Sequence, residues 1–150
     1  MLHPDAGATA TAEAFHAFLS GPLRTLPMPG LHLTPELLEG AYEYLRCAPP
    51  FRAWNLPEPD QITFRVMGAR DRYGHFRGRH TRAWVADSFS EIAISAGKVR
   101  STDMLMATMA HEMIHLYQDE TGSARGHHNP QFRKLAARVC ALHGFDFVSF

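Results

Sequence analysis

Residues 111–115 read His-Glu-Met-Ile-His. On an α-helix, side chains at i and i+4 lie one above the other on the same face, so His111 and His115 can grip a single cation. Glu112 is close enough to reach a water on that cation without itself binding the metal. Zinc peptidases use this pattern with the glutamate as general base. Two solvated histidines on a surface helix are the bland alternative, and the flanking residues argue against it. From Asp103 to Gln118 there is neither Gly nor Pro, and Leu105, Met106, Met109, Met113, Leu116 and Tyr117 recur at helical spacing. Ser101, Thr102 or Asp103 can cap the start and Gly122 can stop the end. A helix apolar on several sides is buried, and buried histidines beside a glutamate need a partner such as zinc.

A catalytic zinc takes three protein ligands and keeps one position open. The extended metzincin pattern would need glycine at 118 and histidine at 121, where this chain has Gln118 and Thr121. No glutamate follows Glu120, and Asp146 is the only downstream carboxylate side chain. His127, His128 and His143 remain. His128 has the best position, because Asn129-Pro130 reads as an N-cap followed by Pro at the first helical position. Phe132, Leu135, Ala136, Val139 and Leu142 then trace one apolar face until Gly144. His127 suits a supporting group or a solvated loop residue, and His143 a cation at a helix C-terminus.

The run from His111 to Phe132, with Gly126-His-His-Asn-Pro-Gln-Phe132 after the first motif, resembles the SprT-like metallopeptidase family, which includes the Spartan proteases of DNA–protein crosslink repair. The resemblance implies zinc ligands at His111, His115 and His128, one Zn2+ per chain, and Glu112 as the catalytic base. It implies an α+β, zincin-like fold: a small antiparallel sheet packed with an N-terminal helix, the active-site helix and a C-terminal ligand-bearing helix. Position 127 is His where the family usually has Gly. The four-cysteine zinc ribbon of many members has no counterpart in Cys47 and Cys140, so the chain is similar to a minimal protease core.

At 150 residues and 45% apolar content, one core and one domain are expected. No apolar run of membrane-spanning length and no secretory leader are read. Two cysteines make no framework and read as reduced, packed residues of a cytoplasmic protein. Residues 1–30, rich in Ala, Thr, Pro and Gly with one short helical candidate at Ala12–Leu19, read as a loosely attached arm, leaving 31–150 as the domain. Thr34-Pro35 opens a helix running to about Cys47 with Leu37, Leu38, Ala41, Tyr42 and Leu45 inward, and Pro49-Pro50 ends it. Ile62, Phe64 and Val66 alternate with polar residues, as do Ile92 and Ile94, with Trp84-Val85 between them. These are strand signals, and short Gly-containing connections favour antiparallel pairing. A strand edge beside the metal would hold an extended peptide by backbone pairing.

Zero net charge hides an asymmetry. Residues 1–60 carry seven acids against three bases, and residues 61–100 carry eight bases against three acids. Arg70, Arg72, Arg77, Arg79 and Arg82, near Arg65, Tyr73 and Phe76, are candidates for nucleic-acid contact. The plainer reading, a solvated basic hairpin, is favoured by the neutral total. Tyr117, His127 and Arg125 are the polar candidates for stabilising an oxyanion. The reading as a whole is a zinc metallopeptidase acting on protein or peptide, with DNA-associated proteins as candidate substrates. Its rival is a non-catalytic, zinc-stabilised nucleic-acid module, which would have no need of Glu112.

Overall fold

The computed structural model describes residues 30–79 and 89–150. The helical candidate at Ala12–Leu19, nearly all of the expected arm, Arg82 and Trp84-Val85 lie outside them. The fold is α+β, with helices α1 (Pro35–Arg46), α2 (Thr102–Glu120) and α3 (Pro130–His143) and strands β1 (Ile62–Met67), β2 (Gly74–Arg77) and β3 (Ser90–Ser95).

Each helix starts where its cap chemistry dictates. Thr34 accepts from Leu37 N at 3.2 Å with Pro35 in the first turn, and Ser101 accepts from Met104 N at 3.2 Å. Asn129 accepts from Phe132 N at 2.8 Å with Pro130 behind it. In each case a side-chain oxygen satisfies a backbone donor that the helix leaves unpaired. Gly144 ends α3 at φ 73°, a left-handed conformation that costs glycine nothing.

The sheet is mixed, which corrects the antiparallel expectation. Its strand order is β1-β3-β2, with β3 parallel to β1 and antiparallel to β2. Sequential hairpins would have put β2 in the middle. Instead β3 inserts between the other two, and its residues Ser90, Ile92, Ala93, Ile94 and Ser95 are buried on both faces. A central strand is covered on both sides and so loses the alternation of an outer one.

α1 packs on β1 and α2, and α2 lies against β2, β3 and α3. The core between them includes Leu38, Tyr42, Leu45, Phe51, Ile92, Ile94, Leu105, Met109, Met113 and Ile114. Tyr42 is fully buried and its hydroxyl donates to Pro57 O at 2.7 Å, so the phenol satisfies its polar end inside the core. Three expected core positions differ. Leu37 is exposed, the α1 stripe being carried by Leu38, Ala41, Tyr42 and Leu45. Leu142 is also exposed, while Cys140, one turn on from Ala136, takes the inner place. Of the two cysteines only Cys140 is packed, and Cys47 is exposed at the end of α1. No helix among the described residues is long and apolar enough to cross a membrane.

Candidate metal centre and its groove

α2 turns His111 and His115 to one face, and the loop after it brings His128 to meet them. His111 Nε2 lies 3.3 Å from His115 Nε2 and 3.0 Å from His128 Nε2. The ligand atoms of all three histidines lie within 4.8 Å of one another, so the three could hold a metal ion. Nitrogens bonded to a tetrahedral zinc at about 2.0–2.1 Å sit roughly 3.3 Å apart, so the spacing suits that ion. His111 Nδ1 donates to Phe150 O at 2.8 Å, which leaves a lone pair on Nε2 facing the two neighbouring imidazoles. A cation among these nitrogens would relieve that crowding. The residues therefore fit the metal.

The surroundings hold the imidazoles neutral, as ligands must be. Phe132 packs its ring 4.6 Å from His115, 4.9 Å from His111 and 4.5 Å from His128. Burial is the main cause that pushes His111 down to about 4 and His115 down to about 3, with neighbouring histidines adding to it. His128 is more open and is lowered by burial, then by His127 and Arg133. Neutral imidazoles bind metal without first losing a proton.

His128 sits at φ 43°, in the left-handed region that non-glycine residues rarely enter. What holds it there is its neighbour. Asn129 Oδ1 accepts from both Phe132 N and Gln118 Nε2, the latter at 2.9 Å, and Asn129 Nδ2 donates to Ser123 O at 3.0 Å and Arg125 O at 2.9 Å. Gln118 is 1% exposed and also donates to Gln131 Oε1 at 3.1 Å. Buried Gln118 and half-buried Asn129 thus tie α2, the loop and the start of α3 together around the third histidine. The N-cap role of Asn129 was legible in the sequence, but its link to Gln118 was not.

Glu112 is 5% exposed on α2, beside the cluster, and burial raises its carboxyl to about 8. It packs against the start of β2. A Cβ added at Gly74 would meet Glu112 Oε1 at 2.5 Å and Thr108 Cγ2 at 2.9 Å, so only glycine leaves the carboxyl its place. No residue pattern in the sequence links Gly74 to Glu112, so this contact is visible only in the fold.

Among the described residues β2 stands at the end of the strand order, and it forms one wall of a groove of about 660 Å3. His111, Glu112, His115 and His128 line the other side, with His127 at the rim. His127 lies outside the three-histidine cluster, its ring 5.5 Å from that of His115. The Tyr117 ring packs 4.6 Å from Trp54, and Arg125 is exposed with its carbonyl bound to Asn129. His143 Nε2 donates to Pro49 O at 2.7 Å and takes no part in the cluster. Arg72 and Arg77 line the groove, and Arg70 is exposed. Arg65 pairs with Glu91, Arg72 with Asp71 and Arg79 with Glu120.

The SprT-like family model matches residues 57–147, and the chain belongs to the SprT-like family. That span takes in all three strands, α2, α3 and the histidine cluster. A comparison with curated proteins finds no match.

Proposed function

We propose that this chain is a zinc-dependent metallopeptidase that hydrolyses peptide bonds in the groove beside β2. The observation that carries the proposal is the buried Glu112 set next to three converging histidines and open to that groove. A zinc ion held by His111, His115 and His128 would bring the pKa of a water down toward about 7 and polarise a substrate carbonyl. Glu112 takes the proton from the attacking water and returns it to the leaving amine, its carboxylate form being favoured once a cation sits beside it. Gly74 keeps its carboxyl in position. β2 supports an extended peptide by backbone pairing, as an outer strand can.

A structural zinc site is normally closed by four protein ligands. The cluster found among the described residues has three, with a carboxyl group alongside, which favours catalysis over the metal-stabilised module. The ion pairs of Arg65, Arg72 and Arg79 favour a solvated basic surface, so DNA enters the proposal only through the choice of substrate, as proteins bound to it. The test is cleavage of an unfolded protein such as casein after zinc removal with a chelator and after zinc is restored. Activity that disappears and returns with zinc supports the proposal. Activity indifferent to the metal, or none with zinc bound, overturns it.

A further inference from the structure

The last residues of the chain lie outside the span matched by the family model, yet they reach the metal centre. Phe150 offers its main-chain oxygen to His111 Nδ1 at 2.8 Å, and its ring lies 5.4 Å from the His111 ring and 6.0 Å from that of Phe145, nearly parallel to the latter at 12°. Ser149 and Phe150 also wall a cavity of about 380 Å3 that Glu112, His111 and Met104 line from the helix side. Between α3 and Phe150 the segment makes its own turn, in which Asp146 accepts from Val148 N at 3.1 Å and from Ser149 Oγ at 2.8 Å.

We propose that Phe150 is a positioning residue for the first metal ligand: its main-chain oxygen holds the proton of His111 on Nδ1 and so presents the Nε2 lone pair to the cation. An imidazole has two nitrogens, and which one is free to bind is set by the hydrogen bond the other makes. Of the three clustered histidines, His111 is the one whose ring also touches both of the others through Nε2, so fixing its tautomer and ring angle sets the centre of the site. The Phe150 ring has a lesser task. Stacked on Phe145, it keeps the oxygen pointed at the imidazole. The proposal rests on the metal-site reading above but not on peptidase turnover, so it is tested by metal binding and by the imidazole itself.

Two variants of the full chain separate oxygen from ring. Removal of residues 147–150 takes away that oxygen; Val148 is 93% exposed and Phe147 51% exposed, so the packing lost is mainly that of the Phe150 ring, which Phe150→Ala removes as well. Phe150→Ala keeps the oxygen. Groups hydrogen-bonded behind a metal ligand are worth about 10- to 100-fold in metal affinity. Zinc affinity, measured by competition with a chromophoric chelator, is expected to fall by about that factor in the deletion and by less than about fivefold in Phe150→Ala. An unchanged affinity in the deletion, or an equal loss in both variants, overturns the proposal. The second measurement needs no variant: 15N shifts of His111 in the metal-free protein are expected to show the proton on Nδ1. A proton on Nε2 refutes it even if the deletion fails to fold, which circular dichroism reports.

Discussion

Replacing Asn129 by alanine removes four hydrogen bonds at once, and their surroundings set what each is worth. The bond to Phe132 N is an N-cap, whose loss costs about 1 kcal/mol. The bond from the buried Gln118 Nε2 is itself part-buried, and stripping one acceptor from that amide costs about another 1 kcal/mol, since Gln131 still takes part of the donor capacity. The two bonds to Ser123 O and Arg125 O lie nearer water and add together roughly 0.5–1 kcal/mol. The sum is about 2.5–3 kcal/mol, which lowers the melting temperature of a domain this size by about 5–12 °C. The same change frees the loop that holds His128 at φ 43°, so zinc affinity is expected to fall by about tenfold. Asn129→Asp keeps the acceptor for Phe132 and Gln118 but loses both donated bonds. With a carboxylate oxygen now facing those two carbonyl oxygens, it should recover only part of the thermal stability while leaving zinc affinity low. Thermal unfolding of the metal-free protein and chelator competition read the two quantities separately. A melting temperature within 2 °C of the parent for Asn129→Ala, with unchanged zinc affinity, would refute the assignment of Asn129 as the anchor of the third ligand.

Other consequences follow from single contacts. His128→Ala should lower bound zinc from about one per chain while His127→Ala leaves it nearly unchanged, as metal analysis would show; the reverse result moves the ligand to His127. Gly74→Ala should keep zinc yet lose at least about tenfold in peptidase rate, because the new Cβ must push the Glu112 carboxyl aside; parental rates would mean the base can shift freely. The metal-free protein should be most stable near pH 6.5. Above that, the folded state keeps a proton on Glu112 up to about 8 that the unfolded chain has lost, so stability falls as pH rises. Below it, the unfolded chain protonates His111 and His115 while the folded state resists down to about 4 and about 3, so stability falls as pH drops. Urea midpoints between pH 5 and 8.5 measure this, and Glu112→Gln should flatten the alkaline side. A parental slope there would show that Glu112 does not hold the proton.

The features legible in the sequence are those whose chemistry is local. Thr34-Pro35 and Asn129-Pro130 cap helices because the side chain and the donor it satisfies are three residues apart, and Ser101 is the one of three candidates that caps α2 in the same way. His111 and His115 share a helix face for the same reason. His128 could be favoured because its neighbours open α3. What escaped depends on partners far along the chain. The parallel pairing of β1 with β3 follows from a strand inserted between two others, and no turn motif encodes that. Gly74 and Glu112, 38 residues apart, meet only once α2 lies under β2. The main-chain oxygen of Phe150 carries no side-chain signature at all, so its bond to His111 could not be read from residue types. Leu37 and Leu142 fit the apolar rhythm of their helices and still face water, because periodicity marks a stripe but not its edges.

The central claim is that three histidines hold the metal and Glu112 moves the proton, and Glu112→Gln separates the two. The substitution keeps the size and helix propensity of the side chain while removing the base. Metal content and peptidase rate measured on the same preparation, beside the parent chain, give the answer. The variant is expected to keep about one zinc per chain and its fold while losing activity by at least about 100-fold. Zinc retained with activity intact would contradict the account.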